Sequence, residues 1–158
     1  MIRAARPEDA PALAALLNAL NSLDGPPPER PMTPGIALRD LIGPGARAWL
    51  RLAEWEGKVA GFATATPIYD AVRHADAMML LDLYVAPEAR RRGLARRLMA
   101  ALAAHAEAAG AACLWWGVDD GDDEALLFYR AIGAVSEGRF SGEIIEGAAL
   151  RQLAAGAA

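Results

Sequence analysis

The sequence is poor in the residues that build disulfide frameworks and metal centres. Of its 158 residues, one is cysteine and two are histidine. Cys113 has no partner for a disulfide within the chain, and the CxxC spacing of zinc sites is absent. We therefore predict a protein without a metal site, suited to the reducing cytoplasm.

The sequence also lacks a long apolar run and an excess of positive charge. No stretch of about 20 apolar residues is present, and the charged residues of segment 3–9 lie where a signal peptide needs an apolar segment. A net charge of -4 opposes general binding to nucleic acid, whose phosphates require a positive docking face. We expect neither a membrane span nor a nucleic-acid partner.

What is present is the composition of a globular domain. Hydrophobic residues make up 54% and charged residues 23%, and a chain of this length can bury a real core. The order of the predicted elements indicates a single α/β domain over residues 1–158, with a mixed central sheet flanked by helices. Hydrophobic periodicity and capping signals predict helices at 7–20, 33–41, 93–109, 124–132 and 148–154, strands at 48–54, 59–66, 78–85 and 112–118, one or two further strands between 134 and 145, and a loop at 67–76.

The most informative segment is a buried strand that leads through an arginine-rich turn into a helix. The strand ends with Leu83, Tyr84 and Val85, and Gly93 precedes the helix. Unpaired N–H groups and the helix dipole favour an anion at such a position. We therefore predict a diphosphate site at this turn. The patterns GxxxxGK[ST] and GxGxxG are absent, which argues against a nucleotide triphosphatase and a dinucleotide oxidoreductase. The residues of this turn are Arg90, Arg91, Arg92, Gly93, Leu94, Ala95 and Arg96.

Two motifs give the sequence a family resemblance. Residues 90–95 match [Q/R]xxGx[G/A] after a strand and before a helix, and residues 122–133 are similar to NxxAxxFYxxxG. With both motifs the chain resembles the GNAT superfamily of N-acetyltransferases. Within it, short stretches such as Gly61-Phe62-Ala63 and Leu81-Asp82-Leu83-Tyr84-Val85 are most similar to the diamine (spermidine/spermine) and thialysine acetyltransferase type.

The resemblance implies direct transfer of acetyl from acetyl-CoA to a primary amine, such as a polyamine or a lysine-like small molecule. It also implies a homodimer. The turn residues would hold the pyrophosphate, and the end of the preceding strand would pair with the pantetheine amides. The residues expected to bind the cosubstrate are Leu83, Tyr84, Val85, Arg90, Arg91, Arg92, Gly93, Leu94, Ala95, Arg96, Asp122, Phe128 and Arg130.

The same resemblance assigns catalytic roles. Tyr129 would protonate the departing thiolate, and Asp82 would bind the cationic acceptor or relay its proton through water. Leu81 stands where the diamine type has a glutamate, so the identity of the base is open. Asp122 stands where the second motif has an asparagine. Its carboxylate keeps a hydrogen-bond acceptor, but the N–H donor of the amide is lost.

Plainer interpretations stand beside these. Tyr129 can be a core aromatic residue, Asp82 a solvated strand residue, and Cys113 a small buried hydrophobe. The proline-rich loop at 21–34 is a candidate wall of the acceptor site. The alternative functions are acetylation of protein N-termini or lysines, acyl-CoA binding without catalysis, and nucleic-acid binding through the arginine cluster.

Overall fold

A five-stranded mixed sheet is the framework of the first part of the chain. The structure, a computed structural model, describes residues 1–23 and 25–157 and contains two compact units, Met1–Asp119 and Asp120–Ala158. The sheet has the order β1-β2-β3-β4-β5, in which only the β4–β5 pair is parallel. This confirms the predicted α/β class with a mixed sheet flanked by helices. The strands are β1 (Ile2–Arg3), β2 (Trp49–Trp55), β3 (Lys58–Asp70), β4 (Ala75–Val85) and β5 (Leu114–Trp115).

Several helix ends coincide with capping signals of the sequence. The Thr33 hydroxyl accepts a hydrogen bond from the Ile36 N–H and starts the second helix, as an N-cap does. Gly110 and Gly133 follow two other helices, and both glycines have positive φ. This left-handed conformation commonly ends helices, and glycine adopts it without strain because it has no Cβ. The helices are α1 (Ala10–Leu20, after a 3-10 turn at Pro7–Asp9), α2 (Pro34–Ala37, continued by a π-helical turn at Leu38–Ile42), α3 (Leu94–Ala108, after a 3-10 turn at Pro87–Ala89), α4 (Asp123–Ala131) and α5 (Gly147–Ala155).

Each face of the sheet is covered by helices. On one face, Phe62 and Tyr84 pack in a buried cluster with Leu13 and Leu17 of α1. Side chains alternate between faces along a strand, so Trp49, next to Leu50 of that cluster, lies on the opposite face. There it stacks on His105 of α3, and α3 buries Leu94, Leu98, Met99, Leu102 and Ala106.

The predicted loop at 67–76 is wrong. β3 continues through Pro67 to Asp70, and β4 already begins at Ala75. β2 pairs with β3 only as far as Ala65, so Pro67 lies where β3 has its β4 partner, Met78, and no β2 partner. A missing N–H is tolerated at such an open side of a strand.

Three further differences concern short strands. β1 was not predicted, and the strand expected at 112–118 is reduced to Leu114–Trp115. Residues 134–146 form no regular secondary structure, so the strands expected between 134 and 145 are wrong. Gly138 in this segment has a φ of 118°, which is incompatible with a continuous strand. A single domain over residues 1–158 remains a prediction.

Candidate active site

The C-terminal half of β4 has an open edge. β4 pairs with β5 through Met78 and Met79 alone, whereas its pairing with β3 continues to Val85. Over Leu80–Val85, the backbone groups on the β5 side therefore have no strand partner in the described part of the chain. Such a row of N–H and C=O groups can hydrogen-bond to an extended ligand as a strand would.

β4 leads directly into the arginine turn. Arg91 and Gly93 have positive φ, 59° and 73°, and Gly93 is the N-cap of α3 without a side chain that caps the helix. The first N–H groups of an α-helix have no partner within the helix. A Cβ at Gly93 would meet no atom within 4 Å, so the backbone there is open to a ligand.

The arginine side chains leave the turn positively charged. The Arg90 Nε donates to the Val85 carbonyl at 3.1 Å and ties the turn to the end of β4. The Arg92 guanidinium lies 5.6 Å from the centroid of the Trp55 ring. Among the described residues, no carboxylate pairs with Arg90, Arg92 or Arg96. Positive charge next to an uncapped helix N-terminus favours a phosphate group.

The apolar members of the predicted cosubstrate site contribute backbone rather than side chains. The side chains of Leu94 and Tyr84 are 1% and 6% exposed and belong to the core, and Val85 is also buried. Leu83 and Ala95 are half-buried. Ligand contacts at these core positions are therefore limited to N–H and C=O groups.

Asp82 is neither fully exposed nor without a partner. It is half-buried and accepts a short hydrogen bond from the hydroxyl of Thr64, its register partner on β3. Thr64 itself is 2% exposed. Asp82 therefore is not the freely solvated strand residue of the plainer interpretation. Thr64 was missed in the sequence because its partner lies 18 residues away and is brought opposite it only by the strand register.

Leu81 occupies a bulge of β4. Thr64 pairs with Asp82 and Ala65 pairs with Leu80, so Leu81 is the residue without a register partner. A bulge bends the strand and changes the direction of its side chains. Leu81 is 47% exposed. The position that holds a glutamate in the diamine type therefore presents an apolar side chain to solvent.

Tyr129 lies on α4, in the unit Asp120–Ala158. Burial, supplemented by the negative charge of Asp122, raises the pKa of Tyr129 to about 12. The Asp122 carboxylate accepts a hydrogen bond from the Ala125 N–H at 2.9 Å and caps the helix, so one of its oxygens serves α4 itself. Phe128 packs on Tyr129 with a centroid distance of 5.2 Å, and Arg130 is exposed.

The loop after α1 is fixed at its far end. Asn18 of α1 donates from Nδ2 to the Met32 carbonyl at 2.9 Å and accepts from the Met32 N–H at 2.8 Å. This amide pair holds the end of the predicted acceptor wall against α1. No sequence pattern predicts this pair, since Asn18 lies within a helical run and Met32 is 14 residues away. Asp24 of this loop lies outside the described residues.

The remaining candidate chemistry is limited. Cys113 is half-buried, with its Sγ 3.8 Å from Asp70 Oδ2. Over residues 1–23 and 25–157, no group of three or more His, Cys, Asp or Glu side chains has a metal-binding arrangement. The helices in the same ranges are all too short or too polar to cross a bilayer.

The sequence matches one family model. The model described as the acetyltransferase (GNAT) family matches residues 13–134, which include both motifs and nearly all of the sheet. Among curated proteins, none has a significantly similar sequence.

Solved structures share the fold. An integron cassette protein from the mobile metagenome of V. cholerae has a TM-score of 0.77 at 24% identity, covering 98% of this chain and 96% of its own. The ribosomal-protein-alanine N-acetyltransferase of Brucella melitensis has a TM-score of 0.71 at 23% identity, covering 93% and 98%. An aminoglycoside acetyltransferase from an uncultured soil metagenomic sample, solved with trehalose, has a TM-score of 0.72 at 19% identity, covering 92% and 95%.

Proposed function

Because the chain belongs to the acetyltransferase (GNAT) family, we propose that it acetylates the primary amine of a small molecule, a polyamine or a lysine-like compound of the kind used by the diamine and thialysine type. N-acetyltransferase activity with acetyl-CoA as donor follows from the family. The acceptor class and the roles of individual residues are the proposal.

The arginine turn and the β4 edge fit the donor. The uncapped start of α3 at Gly93 and the guanidinium groups of Arg90, Arg92 and Arg96 would hold the pyrophosphate. The backbone of Leu83–Val85, for which the described residues provide no strand partner on the β5 side, would pair with the amides of the pantetheine arm. When bound, acetyl-CoA supplies the thioester whose acetyl group the amine accepts.

The observation that carries the acceptor class is the half-buried carboxylate of Asp82. It lies on the open half of β4, three residues before the strand ends at Val85, and Thr64 holds one of its oxygens. The remaining lone pairs of Asp82 would bind an alkylammonium group, which is charged at neutral pH because its pKa is about 10.4. The same carboxylate would pass the ammonium proton to water before the amine reacts.

Tyr129 is proposed as the donor to the leaving sulfur. A pKa of about 12 keeps the phenol protonated at neutral pH. An ordinary thiolate has a pKa of about 8.5, so complete proton transfer from this phenol is unfavourable. Tyr129 would therefore stabilise the sulfur chiefly as a hydrogen-bond donor, with water delivering the proton.

We further propose a homodimer in a reducing, cytoplasmic environment. Support for the dimer comes from the unit Asp120–Ala158, where several large apolar side chains are exposed, a feature of surfaces that bind other proteins. Sedimentation of the full chain tests this point, with a monomer at all concentrations as the contrary result. The exposed residues include Leu127, Val135, Phe140, Ile144 and Leu153.

The test of the acceptor class is release of free thiol from acetyl-CoA with a panel of polyamines, lysine analogues, aminoglycosides and short peptides. Asp82→Asn is compared with Asp76→Asn, a matched change at an exposed position of the same strand. We expect turnover with diamines or lysine analogues, and an acceptor KM raised about tenfold by Asp82→Asn alone, since a charge-assisted bond is lost. Exclusive turnover of peptides or aminoglycosides, or equal effects of the two variants, would overturn the proposal.

A further inference from the structure

A cavity of about 430 Å³ lies at the opposite end of α3 from the arginine turn. Its lining includes Trp49, Pro67, Met78, His105 and Ala109, together with Arg47. All of these belong to the unit Met1–Asp119. With a rise of 1.5 Å per residue, His105 lies about 18 Å along the helix from Gly93. The cavity is open to solvent, and neither the donor nor the acceptor proposed above accounts for it.

Trp49 is the largest aromatic side chain in the lining of the cavity. Its indole stacks on the His105 ring with a centroid distance of 5.6 Å and an interplanar angle of 23°. The Arg51 guanidinium lies 5.2 Å from the centroid of the same indole. These two contacts restrict the motion of the indole, which lines the cavity as an apolar surface.

The same indole carries an unsatisfied hydrogen-bond donor. Trp49 Nε1 is buried and has no acceptor among the described residues. Burying an N–H without an acceptor is unfavourable, so such groups are rare in folded proteins. A ligand in the cavity with a hydrogen-bond acceptor would supply one once the side chains that cover Nε1 move aside.

The charges around the cavity favour an anionic acceptor. Arg47 lines it, and its Nε is 3.6 Å from Asp40. Asp40 is already held by two hydrogen bonds from Arg39, at 2.6 and 2.9 Å. Two arginines therefore share one carboxylate, and Arg51 adds a further positive charge beside Trp49. None of the described Asp or Glu residues lines the cavity.

We propose that this cavity binds a small organic carboxylate with an apolar ring or chain. The apolar part would pack on Trp49, Met78 and Pro67. The carboxylate would accept a hydrogen bond from Trp49 Nε1 and pair with Arg47. This is a second ligand site, separate from the donor and acceptor sites of the proposed acetyltransferase.

Benzoate is the probe, and the indole N–H signals of the full-length protein are the readout. The chain has four tryptophans, hence four indole signals in a ¹H–¹⁵N spectrum, and Trp49→Phe assigns the one that matters. We expect benzoate to move the Trp49 N–H signal downfield in a saturable manner, both with and without saturating acetyl-CoA. Benzyl alcohol, which has the ring without the charge, is expected to bind at least about tenfold more weakly, as the loss of a charge-assisted bond implies.

Variants separate this site from binding elsewhere. The Arg47 side chain is exposed, so Arg47→Gln should leave folding intact. We expect it to weaken benzoate binding about tenfold, whereas Arg151→Gln on α5 should leave the binding unchanged. Trp55→Phe, at the arginine-turn end of the sheet, is the matched control for Trp49→Phe. A Trp49 signal that does not move, equal binding of benzyl alcohol, or displacement of benzoate by acetyl-CoA would each overturn the proposal.

Discussion

The two units of the chain hold their residues in place by different means. In Met1–Asp119, long paired strands and buried clusters on both sheet faces fix the arginine turn and Asp82. In Asp120–Ala158, neither α4 nor α5 contains a fully buried residue, and residues 134–146 lack regular structure. Local stability follows buried contacts and protected hydrogen bonds. The second unit, which carries Tyr129, is therefore expected to open more readily than the first.

The largest effect is expected from the ion pair that anchors the first unit. Arg3 binds the carboxylate of Asp9 through two hydrogen bonds of 2.6 and 2.8 Å, and Asp9 is 6% exposed. Asp9→Ala removes these two bonds and the acceptor of the Arg6 N–H, while Glu54 remains a partner of Arg3, so we expect a loss of about 3 kcal/mol in the free energy of unfolding. Urea denaturation measures it, with Glu8→Ala, an exposed neighbour, as the control.

The same pair predicts a pH dependence. The Arg3 hydrogen bonds hold the pKa of Asp9 below its ordinary value of 3.8. A carboxyl group whose pKa is lower in the folded state stabilises the protein above its unfolded pKa and loses that contribution as the pH falls through the folded value. The stability difference between wild type and Asp9→Asn should therefore shrink below about pH 4. A constant difference down to pH 2 would contradict this.

The second-largest effect is expected at Tyr129, in the less well packed unit Asp120–Ala158. Tyr129→Phe removes the phenol and keeps the ring, and we expect kcat to fall about a hundredfold with an unchanged affinity for acetyl-CoA. Tyr69→Phe, at an exposed position of β3, is the matched control. Since the pKa of Tyr129 is about 12, wild-type kcat should show no decline due to this group up to pH 10. If the Tyr129→Phe variant keeps the wild-type kcat, Tyr129 has no role in the mechanism.

A smaller effect tests the polar pair inside the well-packed unit. Thr64→Val keeps the shape of the side chain and removes the hydroxyl that binds Asp82, whereas Thr64→Ser keeps the hydroxyl. We expect kcat/KM for the acceptor to fall about tenfold in the valine variant, as the loss of a hydrogen bond to a charged group implies. The KM for acetyl-CoA should stay constant, and the serine variant should recover most of the activity. Equal losses in both variants would indicate a packing role alone.

The smallest effect sharpens the contrast in stability. Asp122→Ala removes the N-cap of α4, which is worth about 1 kcal/mol. We expect faster amide exchange in α4, measured by hydrogen exchange, with little change for β3 and β4. Asp123→Ala, the next residue, does not cap the helix and serves as the control. Equal acceleration of exchange in β3 and β4 would mean that the two units unfold together.

Elements with local signals were predictable from sequence. Helix ends carried their own capping residues, such as Thr33 and Gly110, and the turn at Glu56-Gly57 has positive φ at both residues, as a two-residue hairpin requires. The arginine turn was equally visible, because its glycine and its charges are contiguous in the chain.

Features that depend on pairing between distant residues were not predictable. Proline inside β3 is acceptable because β2 stops before it, which no local pattern reveals. The bond between Thr64 and Asp82 and the bulge at Leu81 follow from strand register. The Trp49 cavity brings together residues from three strands, α3 and the segment before β2. The strands expected between 134 and 145 do not form, since strand formation also needs a partner edge.

The open edge of β4 has a consequence for the protein without its donor. The backbone groups on the β5 side of Leu80–Val85 have no partner among residues 1–23 and 25–157, and such a strand edge is a template for edge-to-edge association between chains. A pantetheine arm seated there would act as a surrogate strand and cover this template. Acetyl-CoA would then protect the protein from aggregation as well as serve as its substrate, and the donor-free form would be the one that precipitates on storage.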